Sequence, residues 1–80
     1  MNSFRLVIAS VDRTFFDGDA VSATVPGSAG ECTILAHHEP FVTTLKQGKI
    51  TARREGEAEQ MFDVTDGVVE CSGNHVTVLL

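Results

Sequence analysis

Eighty residues, of which 42% are apolar and 21% charged, suit one packed domain and exclude a disordered chain. A formal net charge of −5 with only six basic residues excludes a nucleic-acid groove, because such grooves draw their affinity from neutralising phosphates. The longest apolar run, Leu6 to Ala9, is far below the roughly 20 residues of a membrane-spanning helix, and the N-terminus lacks a signal-peptide pattern.

In chain order, Phe4 to Val11 reads as a first strand with two apolar faces, Phe4, Leu6 and Ile8 on one and Val7, Ala9 and Val11 on the other. Its second face calls for an inter-sheet corner or a partner surface. Asp17-Gly18-Asp19 then reads as a turn, and Val21, Ala23 and Val25 alternate with Ser22 and Thr24 as a half-buried strand. Pro26-Gly27-Ser28-Ala29-Gly30 breaks the chain again, as do Gln47-Gly48, Glu55-Gly56-Glu57, Asp66-Gly67 and Ser72-Gly73-Asn74. Between these breaks, Ile50 and Ala52 alternate with Thr51 and Arg53, Phe62 and Val64 flank Asp63, and Val76 and Val78 flank Thr77. The intervening segments have strand length and are too short for stable helices. This pattern predicts an all-β fold, a small antiparallel β-sandwich of about eight to ten short strands, formed by a single domain over residues 1–80.

Catalytic and ligand-binding chemistry finds little to work with. His37-His38-Glu39-Pro40 is the densest polar cluster, but adjacent side chains on an extended segment point apart, and no HxH or HxxxH spacing occurs, so no metal is expected. Cys32 and Cys71 have no metal spacing and read as small core side chains in a reducing compartment. No G-x-S-x-G turn is present. The glycine-rich segment ending in Glu31 lacks the lysine and the following helix of a phosphate loop, so no cofactor is expected. His38 and Glu31 could form an acid/base pair only as a minor alternative. A non-enzymatic role follows.

Several short motifs recur together: Phe16-x-Gly18, Val25-Pro26-Gly27-x-x-Gly30-Glu31, Ile34-Leu35, His38-Glu39-Pro40, Leu45-Lys46-x-Gly48, Asp66-Gly67-Val68-Val69-Glu70 and Asn74-His75-Val76-Thr77-Val78-Leu79. In this order they resemble the N-terminal β-sandwich domain of the ATP synthase epsilon subunit family, called delta in mitochondria. The resemblance implies a non-catalytic rotor subunit of the central stalk that couples the gamma subunit to the c-ring in proton-driven synthesis. It implies a peripheral position on the cytoplasmic face of a bacterial plasma membrane, held there only through the complex. By position, Glu31 and His38 are implied to face the c-ring loops, and Ser10 and Thr43 the gamma subunit. The alternative is a free-standing small β-sandwich that binds another protein.

Three departures accompany the resemblance, one of them Asp66 where the family commonly has Ser or Gly. The family usually reads Gly-x-Leu-Gly-Ile-Leu-Pro-Gly-His where this chain has Gly30-Glu31-Cys32-Thr33-Ile34-Leu35-Ala36-His37-His38, which predicts an altered loop before His38. The sequence stops at Leu80, where many members continue into a helical hairpin that carries inhibition and ATP sensing. Residues 1–80 without that hairpin are expected to lack both properties, whether the protein is naturally short or continues beyond them.

Overall fold

The computed structural model describes residues 2–80. Nine strands follow one another: β1 (Phe4–Ala9), β2 (Thr14–Ala20), β3 (Ser22–Gly27), β4 (Gly30–Ile34), β5 (Phe41–Leu45), β6 (Gly48–Arg53), β7 (Gln60–Val64), β8 (Gly67–Ser72) and β9 (His75–Leu79). They hydrogen-bond in the order β2-β1-β9-β8-β5-β3-β6-β7, with β4 pairing β3 beside that path. The sheet curls until its two end strands meet: Phe16 of β2 and Phe62 of β7 pack edge to face, ring centres 6.3 Å apart. Arg54, just after β6, lays its guanidinium over Phe16 at 4.5 Å and roofs the seam.

Alternation builds the core. Phe4, Leu6 and Ile8 of β1 are buried, as are Ala23 and Val25 of β3, Ile50 and Ala52 of β6, Val69 and Cys71 of β8, and Val76 and Val78 of β9. Each large aliphatic or aromatic side chain removed from water in this way contributes about 1.5–3 kcal/mol. Cys32 packs against the rim of this core and Cys71 lies inside it, both as free thiols. Burial raises the Cys71 pKa, with the nearby Cys32 as a lesser cause, so the thiol stays protonated and unreactive at neutral pH.

The nine strands fall within the expected number, with two local differences and one topological one. Asp17-Gly18-Asp19 is not a turn but the middle of β2, where Gly18 stands opposite Leu6. Turn composition loses here to cross-strand contacts. Arg5 binds the Asp17 carboxylate, and Gly18 leaves room for the Arg54 guanidinium, whose Nη2 would lie 2.9 Å from an added Cβ and would shift aside. The first strand ends at Ala9, after a register irregularity between Ile8 and Ala9, and Val11 stands 99% exposed at the tip of the β1–β2 turn. Finally, β1 and β9 run parallel, whereas the other strand pairs are antiparallel. The rest of the chain supplies the long crossover that a parallel pair needs.

Candidate functional site

Glu31 occupies a rigid hairpin. Strands β3 and β4 are joined by Ser28 and Ala29, and Glu31 is exposed opposite Pro26. The Ser28 amide donates to the Thr44 carbonyl at 2.9 Å, and the Ser28 and Thr44 hydroxyls lie 2.7 Å apart. The Lys46 amide donates to the Pro26 carbonyl, also at 2.9 Å, so the hairpin is tied to β5 by backbone bonds on both sides. A Cβ on Gly27 would approach the Gly30 carbonyl oxygen to 2.7 Å, which explains the first glycine of the Gly27-x-x-Gly30 motif by close backbone approach. The outcome is an acidic side chain held on a stiff tip.

His38 lies elsewhere. It follows β4 at the far end of that strand, half-buried, with its ring packed edge to face on Phe41 at 5.1 Å and Nδ1 2.9 Å from the Glu39 carbonyl oxygen. Glu31 is level with the Leu45 end of β5, through the Gly27–Leu45 pair, and His38 with the Phe41 end, next to Cys71. Four strand residues separate those levels, about 13 Å along the sheet. The two residues do not share one end of the molecule, and no acid/base pair forms between them.

The loop that carries His38 lacks the usual Pro-Gly and is held by two hydrogen bonds. His37 stands at φ 63°, the left-handed region where the family pattern has glycine. Its amide donates to Oδ1 of Asn74 at 2.7 Å, and the His38 amide donates to the Leu35 carbonyl at 3.3 Å. A non-glycine residue in that region costs about 1–2 kcal/mol, and replacing it with glycine returns about 0.4–1 kcal/mol of unfolded-state entropy cost. His37→Gly should therefore stabilise the chain by about 0.5 kcal/mol, raising Tm by about 3 °C. A thermal melt in which Tm falls would show that the His37 side chain contributes more than its backbone strain costs.

Ser10 and Thr43 are also apart. Ser10 opens the β1–β2 turn, its amide donating to the Arg13 carbonyl at 2.8 Å and its hydroxyl accepting from the Asp12 amide at 3.3 Å. Thr43 lies within β5 on the side of Phe41 and Leu45, half-buried and facing inward. From Thr43 the register runs through Val69 and Val78 to Ile8, three strand spacings or about 14 Å.

What faces outward on β5 is a different set. Thr44 pairs with Val68, Val68 with Leu79, and Leu79 with Ala9, forming one row across the outer surface of β5, β8, β9 and β1. Val42 lies two residues from Thr44 on the same face. Val68 and Leu79 in this row are 39% and 57% exposed, and Val42, 66% exposed in the next row opposite Glu70, widens it into an apolar stripe in water, with Ser10 at its margin beyond Ala9. The unexplained second face of β1 belongs to this stripe through Ala9. The apolar pairs Val68-Val69 and Val78-Leu79 carried the signal, since neighbours on a strand face opposite sides and one of each pair must point out.

Comparison with known proteins places these features in a family. The model for the ATP synthase delta/epsilon chain β-sandwich domain matches residues 3–80. The ATP synthase epsilon chain of Caulobacter vibrioides is 30% identical over 99% of this chain and 91% of its own length. Those of Chromohalobacter salexigens and Delftia acidovorans are 37% and 32% identical, and the chain spans just 56% and 57% of them. Among solved structures, a chain of the Euglena gracilis mitochondrial ATP synthase OSCP/F1/c-ring assembly superposes with a TM-score of 0.90 at 20% identity, over 99% of this chain and 51% of that one. A chain of the Tetrahymena thermophila mitochondrial ATP synthase central stalk and c-ring superposes at 0.80 and 15% identity, over 94% and 60%. At those identities the superpositions show a shared fold.

Proposed function

The chain belongs to the ATP synthase delta/epsilon chain β-sandwich family, and from that premise we propose that it is a non-catalytic rotor piece of the central stalk, coupling the gamma subunit to the c-ring. The supporting observation is a rigid two-ended shape: a stiff acidic hairpin at one end, and on the side an apolar stripe left in water. A subunit that transmits torque needs a core that does not deform, and this one is closed by sheet curling and the Phe16–Phe62 seam. Exposed apolar stripes of this kind mark protein contacts, and such a preformed surface can dock with little rearrangement.

In this reading the Glu31 hairpin meets the polar loops of the c-ring. His38 lies at the other end of β4, about 13 Å along the sheet, and in this reading Glu31 carries the main c-ring contact. The gamma side is formed by the stripe of Val42, Val68 and Leu79 with Ser10 at its edge. Thr43 acts from beneath that surface, holding β5 in place. Attachment to the cytoplasmic face of a bacterial membrane is then indirect, through these partners.

A photo-crosslinking amino acid placed singly at Glu31, Val68 and His38 tests the assignment in membranes that contain the whole synthase. Expected are c-subunit adducts from the Glu31 site, gamma adducts from the Val68 site, and no c-subunit adduct from the His38 site. Capture of the c-subunit from His38 and not from Glu31 would reverse the orientation. A chain that stays monomeric and yields no adduct from any site would instead be a free-standing binding module.

A further inference from the structure

Two carboxylates stand in one row on the outer face of the strands that carry the apolar stripe. From β2 to β5 the register runs Asp17, Val7, Thr77, Glu70 and Val42. Asp17, on the end strand, has its counter-ion in the Arg5 guanidinium. Glu70 has none. It is exposed, and no cationic side chain among the described residues lies within salt-bridge distance of it. Val42 stands directly opposite on β5, Val68 lies two residues away on the same face of β8, and Leu79 stands opposite Val68 on β9. The unpaired carboxylate thus lies inside the apolar stripe, and the paired one at the margin of the sheet. The basic residues of this face, Arg5 and His75, stand opposite each other in the next row, and Arg5 is already committed to Asp17.

In water Glu70 keeps its hydration and the arrangement is harmless. A partner that covers Val42, Val68 and Leu79 also takes Glu70 out of water, and a carboxylate buried without a counter-ion is strongly unfavourable. We infer that the partner on this stripe places one lysine or arginine side chain against Glu70, so that the interface is an apolar patch keyed by a single ion pair. Valine and leucine side chains alone would tolerate sliding along the stripe, whereas a charge pair fixes the register and rejects a partner without the cation. That this partner is the gamma subunit rests on the coupling reading above; the need for a cation follows from Glu70 and its apolar neighbours.

The test is rebinding of the chain to membranes whose synthase has been stripped of it, with a photo-crosslinking amino acid at Val68 in a separate variant to report the partner. Glu70→Gln leaves the partner's cation buried and unpaired and should weaken rebinding at least about thirtyfold. Glu70→Lys sets like charges together and should weaken it further. Asp17→Asn is the matched control: its carboxylate is exposed and already paired with Arg5, so rebinding should change by less than about threefold. All these positions are exposed, and a cooperative melt in each variant reports an intact fold. Rebinding of Glu70→Gln within about threefold of the unaltered chain, or an equal loss in Asp17→Asn, would overturn the ion pair. A Val68 adduct on a subunit other than gamma would overturn the coupling reading and gamma as the partner, while the Glu70 variants still decide the ion pair.

Discussion

Gly67→Ala is expected to destabilise the chain by about 3 kcal/mol, measured as a fall in the urea midpoint of about 3 M at the m-value of about 1 kcal/mol/M for a domain of this size. A Cβ at residue 67 would lie 2.5 Å from the Leu79 carbonyl oxygen and 3.2 Å from Cδ2 of Leu80. The first of these is backbone, and it cannot turn aside without disturbing the β8–β9 ladder, in which Val68 faces Leu79 and Val69 faces Val78. Both strands contribute Val69, Val76 and Val78 to the core, so a shift that relieves the clash opens the packing as well. For a domain whose whole stability is roughly 4–12 kcal/mol, that loss is a large share. Gly56→Ala is the matched control. It sits in the β6–β7 turn at φ 76°, with no atom within 4 Å of where the added methyl would stand, and should lose just the left-handed strain of about 1 kcal/mol. Equal losses at residues 56 and 67 would mean that backbone conformation, and not the close approach to Leu79, explains the glycine.

Where a strand has one wet face, its residues announce it. Ala23 and Val25, Ile50 and Ala52, and Val76 and Val78 are buried as their alternation predicts, because a period of two is a local property that neighbours cannot alter. Gly18 misled for the opposite reason. Aspartate on both sides of glycine has turn chemistry, and the strand that pairs with it, β1 with Leu6 opposite Gly18, lies about a dozen positions away. The parallel pairing of β1 with β9 is likewise invisible in either segment, since it joins the two ends of the chain.

The candidate surfaces show the same limit. Glu31 and His38 are seven positions apart and read as one loop set, but β4 is extended between them and carries them to different ends. Thr43 could have been placed from Phe41 and Leu45, which share its face and turn it inward. The apolar stripe needed cross-strand neighbours. Thr44, Val68, Leu79 and Ala9 come from four separate segments, and each alone is an ordinary surface residue.

Asn74 ties three separate parts of the molecule together, and Asn74→Ala should cost about 2–4 kcal/mol. With Gly73 it forms the two-residue β8–β9 turn, at φ 58° for Gly73 and 61° for Asn74, and both values are those of a type I′ turn, whose twist suits a hairpin. Its Oδ1 accepts the His37 amide at 2.7 Å, and its Nδ2 donates to the Ser3 carbonyl at 2.9 Å. Its own carbonyl accepts the Arg5 amide at 3.2 Å. One residue therefore joins the entry to β1, the β8–β9 hairpin and the loop before His38. Alanine loses two side-chain hydrogen bonds, at about 1 kcal/mol each, and takes on left-handed strain of about 1–2 kcal/mol. Asn74→Gly removes the bonds while accepting the backbone conformation, so its loss should be about half as large. Urea unfolding of the two variants separates the terms, and amide hydrogen exchange locates them: His37 should lose protection in both. If glycine and alanine destabilise equally, the turn is not strained and the side-chain bonds carry the whole effect. If His37 stays protected in both, the bond from its amide to Asn74 does not order the loop, and the conformation at φ 63° is held by the Leu35–His38 turn alone.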